Sequence, residues 1–486
     1  MSTTALQTYP MLIDGEAVSA GQDGQITLVD PSTGAELGTA PLAGVGDVDR
    51  AVAAARRAYV EHWRDSMPAE RARILFAVAA AIREHAEELA HLVMQNTGHP
   101  PAFAHGDAAN AARYFEYYGG LADKIHGESI PLGPDFIDFT LREPYGVCAI
   151  ITPFNGPLQM LGRSTAPALA AANTVVLKAN EQAPAAVLAL AQVINDAGLP
   201  AGVLNVVPGA IEAGNRLVTH PDVAHVTFTG SIQTGAAIMQ AAAPQITPVT
   251  LELGGKSPQI LFDDADIEAA TKAIVGSALV TAGQVCSAGT RILTHHSIRD
   301  DVLDALNDAI SAINVGAPVD GADMGPVISE RQLDRIRGAI RAGRDSGAKL
   351  VTGGEEPVGG APSGGYFVKP TVFDEVGPKD RLACEEIFGP VLSVIPFGSW
   401  EEALHIANDT EFGLASGVWT KDVSRAMFFA RKIEAGQVFI NNYGAGGGIE
   451  LPFGGYKKSG IGREKGLEVV HEYTQVKNVC ITAAAR

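Results

Sequence analysis

Val147-Cys148-Ala149-Ile150-Ile151, running into Thr152-Pro153-Phe154-Asn155-Gly156-Pro157, is the stretch on which the fold turns. Five apolar residues in succession, ended by a break rich in proline and glycine, describe a strand covered on both faces. Three further runs share this texture: Thr174-Val175-Val176-Leu177-Lys178, Leu204-Asn205-Val206-Val207 and His225-Val226-Thr227-Phe228-Thr229. Alanine-rich segments at about Gln159 to Ala172, Pro184 to Ala197 and Gly235 to Ala242 read as the helices that cross between them. Strands and helices alternating in this way predict an α/β fold on a parallel sheet of nucleotide-binding type.

On the N-terminal side, residues 11 to 40 read as short strands with turns at Asp14-Gly15, Asp23-Gly24 and Pro31-Ser32-Thr33-Gly34. Helices are expected over Val48 to Tyr59, from Pro68 to about Met94, and, after a break at Pro100-Pro101, over about Ala108 to Asp123. His85 and His91 fall on a solvated face of the second. From Glu128 to Glu143 the pattern turns extended, and such a ribbon has edges that another subunit would cover. On the C-terminal side, a second βα section runs from about Ser257 to Ala435. A glycine-rich segment, Asn441 to Gly466, and a last strand, Tyr473 to Thr482, follow.

A chain of 486 residues is too long for one core. Its net charge of -19, with Lys and Arg scattered, argues against nucleic-acid or anionic-membrane partners. Cys148, Cys286, Cys384 and Cys480 show no CxxC spacing, which speaks against a zinc site of adjacent thiols and suggests no disulfide framework. No metal is expected. Met1 to Pro10 has no basic region, and no apolar run reaches spanning length, so the expectation is a cytoplasmic protein.

Ligands of doubly wound sheets bind at the carboxyl ends of strands. Those ends carry Asn155, then Lys178-Ala179-Asn180-Glu181, then Gly230-Ser231-Ile232-Gln233-Thr234-Gly235, then Glu252 ahead of Gly254-Gly255-Lys256. Each has a plain structural reading: an Asx-type turn, a surface ion pair worth under about 1 kcal/mol, tight-turn glycines, a helix cap. Together they form the inventory of a nucleotide-dependent thiol enzyme. The Gly230 turn lets backbone N–H groups approach a pyrophosphate, although its spacing differs from GxGxxG. Glu181 and Lys178 suit ribose hydroxyls; Asn155 offers an amide to an oxyanion, and Glu252 a base for water. The thiol is Cys286, in Gly283-Gln284-Val285-Cys286-Ser287-Ala288-Gly289, at the break after the apolar run Ala273 to Val280. An inert cysteine belongs inside such a run; a nucleophile needs a polar, approachable setting.

The stretches FNGPLQM, LKANEQAP, FTGSIQTG, LELGGKSP, GQVCSAG, EEIFGPV and PFGGYKKSGIGRE, in this order, resemble the aldehyde dehydrogenase superfamily over essentially the whole chain. The resemblance implies a Rossmann-type cofactor domain (1–125 and 145–254), an α/β catalytic domain (255–455) and a small β oligomerisation element (126–144 and 470–486). It implies that Cys286 attacks an aldehyde to give a thiohemiacetal whose oxyanion meets the Asn155 amide and the Cys286 N–H. Hydride leaves to NAD, and Glu252 activates the water that cleaves the resulting thioester. Ile151, Thr152, Phe154, Lys178, Glu181, Gly230, Ser231 and Gly235 would hold the cofactor, with Glu386 and Phe388 at its nicotinamide end. Glu464 matches a carboxylate sometimes assigned to proton relay. A homodimer or homotetramer is implied.

The Glu181 carboxylate should repel the extra phosphate of NADP, favouring NAD, while Lys178 tempers that preference. Gly156 replaces an aromatic found in many members, and Arg163 stands where several have another. These departures suggest a bulky or aromatic aldehyde, with Arg163 either at the pocket mouth or paired with a nearby acid. A semialdehyde dehydrogenase, a CoA-acylating relative, a cysteine hydrolase and a non-catalytic protein of the same fold are the alternatives. Val280, where semialdehyde enzymes carry a second Arg, weakens the first of these, and Glu252 weakens the second.

Overall fold

The computed structural model describes residues 7–482, so the readings of residues 1–6 and of the last four residues of 470–486 lie outside it. Two large sheets carry two separate hydrophobic cores. The first sheet has the order Gly460–Ile461, Val249–Glu252, Val223–Thr229, Val147–Ile151, Thr174–Ala179, Leu204–Pro208, Met11–Ile13, Glu16–Val18. Its five central strands are parallel and its outer strands antiparallel. Chain order reverses between Val147–Ile151 and Val223–Thr229, and the crevice beyond their carboxyl ends is where such sheets take ligands. Helices Pro157–Ala170, Ala185–Asp196, Ile211–Val218 and Ile232–Ala242 connect these strands.

The second sheet runs Lys349–Thr352, Thr371–Asp374, Val391–Phe397, Arg291–His295, Pro258–Leu261, Ala415–Trp419, Gln437–Ile440. All its pairings are parallel except that of the Lys349–Thr352 edge. Thr474–Thr482 lies antiparallel along Phe136–Pro144, which also pairs Ser129–Ile130, as a separate three-stranded ribbon. Phe136, Ile137, Leu141, Val476 and Ile481 of that ribbon are exposed.

The four predicted strands and their crossover helices form with ends shifted by a few residues. Two helix expectations change in their bounds. The break at Pro100-Pro101 stands, since the preceding helix ends at Thr97, but the next helix is Pro101–Gly119 and starts earlier than expected, because a first-turn residue needs no N–H partner and proline's fixed φ suits that position. The long helix from Pro68 divides at His85 (φ -99°, ψ 11°) into Pro68–Glu84 and Ala86–Thr97. Late in the chain, Gly460–Ile461 adds a strand beside Val249–Glu252, and Ile449, Val469, Val470 and Tyr473 enter the first core.

Candidate active site

A cavity of about 530 Å³ lies between the two lobes at the strand ends. It runs past Lys178 and Glu181, past the Gly230-Ser231 turn, and on to Asn155, Cys286, Glu386 and Phe388. Lys178 Nζ and Glu181 Oε2 are 3.0 Å apart, the lysine buried and the carboxylate half-exposed. Ser231 caps helix Ile232–Ala242 by accepting the Thr234 N–H, which leaves the positive end of that helix facing the cavity. Ile211, Val218 and Ile238 supply an apolar wall. Ile151, Thr152 and Phe154 line the cavity too. Gly235 does not: a Cβ there would lie 2.7 Å from Leu253, so this glycine serves close helix–strand packing.

Cys286 sits in a turn beyond helix Ile267–Ala278. The turn is pinned from three sides. Gln284, fully buried, accepts the Ile328 N–H at 3.0 Å and donates to the Thr281 carbonyl at 3.1 Å. The Tyr443 hydroxyl donates to the Ser287 carbonyl at 2.6 Å, and Asn155 Nδ2 donates to the Gln284 carbonyl at 2.7 Å. Gly283 has a φ of +72°, and a Cβ there would lie 2.2 Å from the Gly389 backbone, so only glycine admits the close approach of that segment. Burial pushes the Cys286 thiol up to about 11, with Glu386 and Glu252 adding to the rise and Arg163 opposing it. The resting sulfur is therefore protonated at neutral pH and needs a base as it reacts.

Glu386 reaches the same cavity. Its Oε1 accepts the Gly255 N–H at 3.3 Å, and a Cβ on Gly254 would lie 2.0 Å from its Oε2, so only glycine lets it through. Burial pushes its carboxyl up to about 7. Phe388, at the non-glycine φ of +57°, presents its edge to Phe154 at 5.9 Å between ring centres. Gln332 Nε2 donates to the Ile387 and Phe388 carbonyls and Arg335 to that of Glu386, which together hold this strained turn. Neither Gln332 nor Arg335 was singled out in the sequence, where nothing local distinguishes them from surface residues of helix Glu330–Asp345.

Glu252 ends the strand Val249–Glu252 and is 2% exposed. Neither carboxylate oxygen has a hydrogen-bond partner among the described residues. Burial holds its carboxyl well above the ordinary range; Arg163 lowers it and Glu464 raises it. Arg163 is buried, with Nη2 3.8 Å from Glu252 Oε2 and Nε against Glu464 Oε2. Glu464 also accepts the Ser164 hydroxyl at 2.5 Å. Gly156 leaves no void either, since a Cβ there would lie 2.8 Å from the Gln159 amide.

A parallel sheet with a dinucleotide-sized crevice at its switch point, opening onto a pinned cysteine with a buried carboxylate behind it, defines a nucleotide-dependent thiol enzyme. The chain belongs to the aldehyde dehydrogenase family, whose model it matches over residues 18–479. It is 41% identical over 478 residues to the Bacillus subtilis (strain 168) protein DhaS, covering 98% of this chain and 96% of that one. An aldehyde dehydrogenase from Bacillus cereus, solved as its NAD+ complex, superposes with a TM-score of 0.96 at 41% identity, covering 98% and 97% of the two chains. The NAD-dependent aldehyde dehydrogenase of Sinorhizobium meliloti gives 0.95 at 40% identity over 99% and 96%. Among the described residues no helix is long and apolar enough to cross a membrane, and no cluster of ligating side chains could hold a metal.

Proposed function

We propose that the protein oxidises an aldehyde to a carboxylic acid with NAD, through a thiohemiacetal and then a thioester on Cys286. The observation that carries this reading is the shared cavity, which has the Lys178–Glu181 pair at one end and Cys286 with Asn155 and Glu386 at the other. Its volume, apolar flank, capped helix terminus and terminal carboxylates fit a dinucleotide. NAD supplies the hydride acceptor. The residues do the rest. Cys286 Sγ bonds to the aldehyde carbon as the carbonyl π pair moves onto oxygen and the thiol proton passes to water. The Asn155 amide, held on the Gln284 carbonyl, aims its second hydrogen at the developing oxyanion. Glu386 orients a ribose from the position that Gly254 opens. Glu252, ionised, takes a proton from the water that attacks the thioester, and the Cys286 thiolate departs with the carboxylic acid released.

The substrate we infer is a bulky or aromatic aldehyde. Gln159, a flexible amide, occupies the space beside Gly156 where a fixed ring would stand. Two carboxylates already face the single charge of Arg163, which supports an uncharged aldehyde over a carboxylated one. The apolar side chains exposed on the ribbon support a homodimer or homotetramer, and four free thiols suit the reducing cytoplasm. The test follows reduced nicotinamide while the protein is offered NAD with aliphatic, aromatic and carboxylated aldehydes. Turnover of aromatic aldehydes supports both levels of the reading. Turnover of short aliphatic or carboxylated aldehydes alone overturns the substrate, and acid release without nicotinamide reduction overturns the reaction.

Cofactor choice gives a sharper prediction. Glu181→Ser removes the carboxylate that opposes a 2′-phosphate and frees Lys178 to meet it. The ratio of kcat/KM for NADP to that for NAD should rise about 10-fold, equal to about 1.4 kcal/mol. An unchanged ratio would place the adenine ribose elsewhere.

A further inference from the structure

We propose that Arg163 is a positioning residue for the hydrolytic step: it fixes the carboxylate of Glu252 and divides one positive charge between it and Glu464. This rests on Glu252 acting as the base.

Four observations place Arg163 in this role. Its guanidinium reaches both carboxylates, at 3.8 Å for Glu252 Oε2 and in contact with Glu464 Oε2. Its central carbon lies 4.5 Å above the Phe453 ring, and its Nη1 is 3.7 Å from Met160 Sδ, so the plane of the group is set by packing as well as by charge. It lies on Pro157–Ala170, a helix buried almost throughout, whose first turn is fixed by Asp107 accepting the Leu158 and Gln159 N–H groups at 3.0 Å. Neither oxygen of Glu252 finds a hydrogen bond among the described residues, which leaves the Arg163 cation as its close polar neighbour.

With both acids ionised, Glu252, Glu464 and Arg163 together carry one net negative charge. A buried carboxylate in such company binds its proton tightly, yet a base must begin without it. Arg163 and Arg463 favour the ionised form of Glu252, while Glu464 and Glu472 oppose it. Tyr114 and Cys286 also face the Arg163 charge, and Lys465 lies near it. Arg163 therefore works against burial and against Glu464 together.

The experiment separates the two half-reactions in the intact protein. Release of reduced nicotinamide in the first turnover reports thioester formation, and the steady rate with an aldehyde whose acyl group is slow to accept water reports its hydrolysis. Both are followed against pH for wild type, Arg163→Met, Arg163→Lys and Glu464→Gln. Loss of the cation should move the acid limb of hydrolysis upward by about 1–3 pH units. Glu464→Gln leaves the whole Arg163 charge to Glu252 and should move the limb downward. Arg163→Lys should bring it part of the way back. A merely structural role would lower rates without moving the limb in opposite directions. An unmoved limb, or a shift of the same sign in both neutral variants, overturns the proposal. So does a rise in KM confined to carboxylated aldehydes, which would make Arg163 a substrate ligand. If Arg163→Met does not fold, the direction in Glu464→Gln decides alone. A wild-type protein that forms no thioester at all would fail the functional reading instead, a result distinct from each of these.

Discussion

Glu252→Gln is expected to release one burst of reduced nicotinamide, stoichiometric with active sites, and then to turn over roughly 10²–10⁴-fold more slowly than wild type. Gln keeps the volume of the buried side chain and removes its ability to take a proton from water. Cys286 and Asn155, which form the thioester, are untouched. The burst itself should be no slower, because the Glu252 charge is among the groups that raise the Cys286 thiol. Rapid-mixing absorbance shows the burst, and intact mass shows the acyl group that persists on Cys286. A burst lost in step with the steady rate would move Glu252 to the first half-reaction.

Glu386→Gln should stabilise the cofactor-free protein, and only at the alkaline side. The folded carboxyl sits near 7 against an ordinary 4.5, so folding strengthens its hold on a proton. Its contribution is intact below pH 4.5, is lost as pH rises from 4.5 to 7, and remains lost above that. The difference at pH 8 is about 3 kcal/mol. Gln retains an oxygen to accept the Gly255 N–H and carries no charge to bury. The apparent melting temperatures of the two proteins should therefore coincide at pH 4.5 and separate at pH 8, with the variant higher. Asp107, also pushed to about 7 by burial, weakens both proteins across the same window and cancels in the comparison. The variant should need more NAD to reach half its maximal rate, having lost an ionic acceptor for ribose. Identical melting at both pH values would mean that the carboxyl leaves its buried position.

The parts of this molecule that were legible in the sequence are those whose cause is local. A strand buried on both faces must be apolar throughout, so Val147–Ile151 and its neighbours stand out without any partner. Residues at the ends of such strands inherit their position from the sheet, which is why Asn155, Lys178, Glu181 and Gly230 reach one cavity. What stayed hidden depends on contacts between distant segments. Gly283 carries no local sign of the backbone it must admit, that of Gly389, more than a hundred residues on. Arg163 carried two readings because its partner Glu464 stands 300 residues away. Gln332 and Arg335 act through the backbone of a loop, and a donor to a carbonyl leaves no mark in the identity of its acceptor. The start of the helix at Pro101 was missed for the opposite reason: the effect of proline is local, but it can open a helix as well as end one.

The pairing of Thr474–Thr482 with Phe136–Pro144, together with the arrival of Gly460–Ile461 at the first sheet, sets the order in which the protein can be finished during synthesis. More than 300 residues separate the ribbon's two long strands. A nascent chain can assemble the five parallel strands long before Phe453, which covers Arg163, and its acid Glu464 have left the ribosome. Until then Arg163 has only Glu252 as a counter-charge, and the edge of Val249–Glu252 lacks its neighbour. Late, long-range closure of this kind is slow, and it leaves an open strand edge that invites association. The segment from Phe453 to Thr482 thus acts as a late closing step of folding, joining lobe, ribbon and active-site acid.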